Sequence, residues 1–86
     1  MTESKHCQMT LRITNRLSSP RIVVLEPWTG EYTLQPGAAF DIVAEGDMSY
    51  PLEVEVDDSR IVVYCFDSQG ASLSIFQDGR ELVRSE

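Results

Sequence analysis

Turn-forming residues punctuate this chain about every 8–12 positions, and the runs between them are short and rich in Val, Ile, Thr, Tyr and Phe. That spacing leaves few folds open. No segment carries a convincing 3.6-residue apolar period, so the layers available to the chain are sheets. The strongest local signal is Asp78-Gly79, flanked by strand-like residues. A two-residue type I′ hairpin needs positive φ at both central positions, and Asp-Gly accepts it. The register follows: Gln77 opposes Arg80, Phe76 opposes Glu81, and Ile75 opposes Leu82. Ile75 and Leu82 then face inward and Phe76 outward.

The other runs read the same way. Thr10 to Thr14 alternates, with Leu11 and Ile13 on one face, and Asn15 to Pro20 is a loop. Arg21 to Leu25 and Arg60 to Phe66 are continuous apolar runs, which predicts strands covered on both faces. Pro27 ends the first of these, and Gly30 permits a turn. Glu31 to Gln35 resumes alternation with Tyr32 and Leu34 together, and Pro36-Gly37 suits the centre of a type II turn. Ala38 to Glu45 places Phe40, Ile42 and Ala44 inward, and Gly46 to Ser49 is a loop. Leu52-Glu53-Val54-Glu55-Val56 alternates strictly, with its carboxylates on the wet face. Asp57-Asp58-Ser59 and residues 67–70 turn the chain, and Ser72 to Gln77 points Leu73 and Ile75 inward. The expected fold is all-β: a small antiparallel β-sandwich, or a flattened barrel, of seven to eight short strands. It occupies residues 10–86 as one domain, behind a flexible lead over residues 1–9.

Size and charge narrow the function. A chain of 86 residues buries only roughly 60–65% of the surface its unfolded form exposes, so its core is thin. A deep catalytic cavity would remove packing the fold needs, and no enzyme is expected. The net charge is −7, yet no Lys or Arg stands between Arg21 and Arg60. That span holds Glu26, Glu31, Asp41, Glu45, Asp47, Glu53, Glu55, Asp57 and Asp58. Phosphate backbones and anionic lipid surfaces need clustered basic residues, so neither nucleic acid nor membrane is an expected partner. A basic protein segment or a cation fits the acidic span, as does plain solvation of a small domain. Met1 to Cys7 has no apolar signal-peptide core, and no run approaches the ~20 apolar residues of a membrane span. The expected location is the cytoplasm, where Cys7 and Cys65 are free thiols.

The chemistry-bearing residues are sparse. His6 is the single histidine, and a copper site on a β-sandwich takes two. His6-Cys7-Gln8-Met9 is therefore an incomplete ligand set, no Cys-x-x-Cys offers zinc a site, and no cofactor is expected. Asp47, Asp57 and Asp58 lie in oxygen-rich loops and are the candidate ligands for a calcium-like cation, although turn chemistry accounts for them too. Cys65 has no nearby histidine in sequence to activate it. Glu53 and Glu55 sit about 7 Å apart along one strand face, a separation that suits glycoside chemistry but is ordinary for the wet side of a strand.

The aromatic residues are the remaining signal. Trp28, the only tryptophan, is expected to plug one end of the core; the alternative is an exposed ledge formed with Tyr32. Leu25-Glu26-Pro27-Trp28-Thr29-Gly30-Glu31-Tyr32-Thr33-Leu34-Gln35-Pro36-Gly37 resembles a segment of small uncharacterised bacterial β-domains, which runs approximately L-E-P-W-G-x-x-Y-x-L-x-P-G. Thr29 departs from that pattern. The resemblance spans residues 11–83 and implies an all-β fold with no assigned activity. The reading is a non-catalytic interaction module that binds a protein or peptide partner, basic by charge, or a second copy of itself. Trp28, Tyr32, Glu31 and Phe76 are its expected contact residues. The second reading is a small-ligand or cation-binding module.

Overall fold

A computed structural model describes residues 6–28, 30–47, 51–65 and 71–82, and the regular structure among them is entirely strand. The elements are β1 (His6–Thr14), β2 (Arg21–Glu26), β3 (Gly30–Leu34), β4 (Ala39–Asp47), β5 (Glu53–Val56), β6 (Arg60–Tyr64), β7 (Ser72–Gln77) and β8 (Arg80–Glu81). They form two four-stranded sheets, ordered β1-β4-β7-β8 and β3-β2-β6-β5. The fold is a sandwich and not a closed barrel.

The turns form where backbone chemistry demands them. Asp78 and Gly79 take φ of 53° and 79°, and Phe76 pairs with Glu81 and Gln77 with Arg80. Leu82 N–H donates to Ile75 O at 2.9 Å, extending the expected register by one pair. Gly37 has φ 81°, and Ala38 N–H reaches back to Gln35 O at 3.0 Å. That is a type II turn with glycine at its left-handed position.

The inner faces meet in one cluster. Val23, Leu25, Leu34 and Val63 of the second sheet pack with Phe40, Ile42 and Ile75 of the first, flanked by Leu11, Ile13, Tyr32, Ile61, Leu73 and Leu82. The two continuous apolar runs became β2 and β6, the central strands of their sheet. Val24 and Val62 point away from the core yet are also buried. On that outer face the register sets Glu31 beside Val24 and Glu55 beside Val62.

Asn15 ties the two sheets together at one end and is the buried polar side chain among the described residues. Its Nδ2 donates to Ser19 O at 2.9 Å and Leu34 O at 3.0 Å, and its Oδ1 accepts from Leu17 N–H at 2.9 Å. Its backbone donates to Ala38 O and accepts from Gly37 N–H. One residue thereby joins the end of β1, the end of β3 and the turn into β4. The edges β1 and β3 therefore share one side of the sandwich, and β5 and β8 share the other.

Five expectations need correction. The strand expected from Thr10 begins at His6, so residues 6–9 are not a flexible lead: they pair with Glu45, Gly46 and their neighbours on β4. Gly46 and Asp47 correspondingly belong to β4 rather than to a loop. The sandwich is not wholly antiparallel, because β2 and β6 run parallel from Ile22–Arg60 to Glu26–Tyr64. Trp28 does not plug the core; it is 37% exposed, while Phe40 at 1% is the largest fully buried side chain among the described residues. Finally, β5 is not half-buried, since all four of its residues are exposed. Val54 and Val56, which alternation alone would place in the core beside Val63 and Ile61, are 42% and 68% exposed. Residues 1–5, Thr29, residues 48–50, Phe66, residues 67–70 and Val83, on which parts of the sequence reading fall, lie outside the described residues.

Candidate functional site

The acidic span does not make one surface. Strand alternation sends Asp41 and Glu45 to the outer face of the first sheet, where neighbours on β1 engage them. Arg12 donates from Nε to Asp41 Oδ1 at 2.7 Å and from Nη2 to Oδ2 at 3.0 Å. This fork holds the Asp41 carboxyl below the usual carboxylate range, chiefly through the hydrogen bond. Gln8 Nε2 donates to Glu45 at 3.1 Å.

The outer face of the second sheet collects a different set. Glu26 on β2, Glu31 on β3, and Glu53 and Glu55 on β5 all lie there, with Tyr64 between them on β6. Tyr64 donates its hydroxyl to Glu55 Oε1 at 3.1 Å. Its pKa is raised above the ordinary phenol value, first by that hydrogen bond, then by burial, then by the negative charge of Glu55, Glu26 and Glu53. Three glutamates thus act on one hydroxyl, and Glu31 lies on the same face. Replacing Glu55 with glutamine is expected to lower the Tyr64 pKa toward its ordinary value. Tyrosinate absorbance followed through an alkaline titration checks this, with Tyr64→Phe identifying which step belongs to Tyr64. An unchanged titration in Glu55→Gln would refute the assignment.

The edge beside this face is β5. Val54 is 42% exposed and Val56 68%. The ladder geometry also fixes where their backbones point. Asp57 N–H donates to Arg60 O at 3.0 Å, which makes that cross-strand pair a hydrogen-bonded one. Pairs alternate along an antiparallel ladder, so Glu55–Val62 and Glu53–Tyr64 are bonded pairs, whereas Val54–Val63 and Val56–Ile61 are not. The N–H and C=O of Val54 and Val56 are therefore directed away from β6, toward the side where, among the described residues, the sheet has no further strand.

The expected contact residues do not converge. Trp28 stands in the turn after the cis Glu26–Pro27 bond, at the end of the sandwich opposite Asn15. Tyr32 is on the inner face of β3, its ring edge-on to Phe40 with centroids 6.5 Å apart and planes at 79°. Tyr32 therefore packs against the core. Glu31, one residue away, faces the opposite side and joins the acidic face. Phe76 is half-buried on the outer face of the first sheet, opposite Asp41 and Glu81.

The candidate cation ligands are separated as well. Asp47 closes β4 at one end of the sandwich, while Asp57 and Asp58 turn the chain at the other. Asp57 Oδ1 accepts from the N–H groups of Ser59 and Arg60, both at 3.0 Å. Those bonds hold its carboxyl below the usual range, and the carboxylate is occupied in shaping the turn. Arg21 adds a guanidinium donor to the Asp57 carbonyl. Among the described residues, no group of three or more His, Cys, Asp or Glu side chains is arranged to hold a metal ion. Cys7 is exposed, Cys65 is half-buried, and neither is in a disulfide. No helix among the described residues is long and apolar enough to cross a membrane.

The exposed valines went unread because alternation predicts which residues share a face, not whether anything lies over it. Pro51 just before a four-residue strand was the available signal, since short, charged, proline-flanked strands are typical sheet edges. No family model matches the chain, and no curated protein or solved structure is similar to it.

Proposed function

We propose that this chain is a non-catalytic cytoplasmic β-sandwich that binds a basic segment of another protein through its second sheet. The observation that carries the reading is β5, a strand that exposes valines and glutamates in strict alternation beside an acidic sheet face. Exposed apolar side chains alone would invite nonspecific association. Their interleaving with carboxylates, and the further carboxylates of Glu26 and Glu31 on the same face, favour a positively charged partner and disfavour others.

The reading makes a direct prediction. Synthetic peptides that alternate lysine with valine bind, lysine-free peptides that alternate glutamate with valine do not, and the binding weakens as salt rises. Fluorescence anisotropy of labelled peptides measures all three. Equal binding of the acidic peptide, or no binding of the basic one, would overturn the proposal.

A further inference from the structure

The outward-facing backbone of β5 specifies how the partner docks, and this step rests on the reading just given. We infer that the partner adds to the β5 edge as a fifth strand of the second sheet, and that it is an extended segment alternating basic with apolar residues.

Three observations converge on that occupant. First, Val54 and Val56 direct two N–H and two C=O groups at the open edge, the arrangement a new strand needs. Each would form a bonded pair with one residue of the incoming chain. Second, the side chains of those same valines share the inward face with Val63 and Ile61, their partners on β6, yet remain exposed. Apolar residues opposite them would continue the core sideways. Third, Glu53 and Glu55 occupy the alternate positions, which become the non-bonded pairs of the new ladder. Side chains approach most closely there, with Cα atoms about 4.5 Å apart, so lysine or arginine meets each glutamate directly. Tyr64 already holds Glu55 in place with its hydroxyl.

The same geometry works against a second copy of this chain. A two-fold axis that pairs β5 with β5 antiparallel runs perpendicular to the sheet and preserves its faces. Glutamates of one copy would then always oppose residues on the glutamate face of the other, and like charges directly opposite are destabilising. Glu26 and Glu31 add to the repulsion. The other open edges offer less. On β3 the inward positions, Gly30, Tyr32 and Leu34, are buried or half-buried, and the outward face of β1 is polar.

Proline at position 54 isolates the mode. The Val54 N–H is not used by β6, so Val54→Pro removes an outward donor while leaving the β5–β6 ladder and every charge intact. The basic peptide is expected to lose at least about tenfold in affinity in this variant, and Glu53→Lys/Glu55→Lys to lose a similar factor while gaining the acidic peptide. In the unaltered chain, amide hydrogen exchange at Val54 and Val56 slows when the basic peptide is added. That measurement stands even if Val54→Pro does not fold.

Peptide binding with protection at another strand, or without loss in a folded Val54→Pro, overturns strand addition and leaves the proposed function in place. No basic-peptide binding overturns both. Protection of Val54 and Val56 that depends on protein concentration alone overturns the choice of occupant in favour of a dimer.

Discussion

Replacing Asn15 with leucine is expected to lower the free energy of unfolding by about 3–4 kcal/mol. The side chain is almost fully buried and meets three backbone groups. Its orientation is not ambiguous: Ser19 and Leu34 offer only carbonyl oxygens, and Leu17 offers only an N–H. Leucine fills a similar volume but leaves those groups without their partner. Each stranded buried group costs about 1–3 kcal/mol, so the sum is a large part of what holds a domain of this size. Aspartate at the same position separates acceptor from donor. It keeps the acceptor for Leu17 and turns a carboxylate toward two carbonyls, which raises its folded pKa above the unfolded value. Protonation then favours the folded state, so the deficit relative to the unaltered chain is greatest at neutral pH and narrows as pH falls. Urea unfolding of both variants across pH measures this. A leucine variant within about 1 kcal/mol of the parent would show that the staple is not structural.

What was legible in the sequence, and what was not, follows from the range of the forces involved. Asp78-Gly79 and Pro36-Gly37 were readable because positive φ is a local requirement that two residues satisfy alone. The runs around Val23 and Val62 were readable as central strands because burial on both faces writes itself as unbroken hydrophobicity. Pairing is different. Nothing in Ile22 to Glu26 announces a parallel partner at Arg60 to Tyr64, since partner choice is made across the whole chain. His6 to Met9 alternate polar with apolar in phase with Leu11 and Ile13, a signal that was there to read but weak, since Cys7 and Met9 are poor strand formers beside Val or Ile. Size misled at Trp28, which stands at the expected end of the sandwich but is 37% exposed. The acidic span was plain, but its division between two outer faces depends on which strands share a sheet. Only that division brings Glu26, Glu53 and Glu55 around Tyr64 and sets Glu31 on the same face.

Phe40→Ala tests the centre of the fold and should cost about 3–5 kcal/mol. Among the described residues, Phe40 is the largest side chain withdrawn fully from solvent. It sits on β4 opposite Ile13 of β1 and touches Tyr32 of the other sheet edge-on. Truncation removes apolar transfer energy and leaves a cavity that two sheets, pinned nearby by Asn15, can close only partly. A domain of 86 residues has about 4–13 kcal/mol of stability in all, so the variant falls to the edge of the folded range. Phe40→Leu keeps most of the volume and should cost about 1.5 kcal/mol or less. The aromatic contact itself is separable. In a double-mutant cycle of Phe40→Leu and Tyr32→Leu, a coupling of about 0.5–1.5 kcal/mol is expected beyond area burial. Denaturant midpoints of the three variants read out both quantities. Zero coupling would mean that Tyr32 contributes burial alone. A coupling in the expected range confines Tyr32 to the core and leaves partner contact to the opposite face of β3 and to the β5 edge.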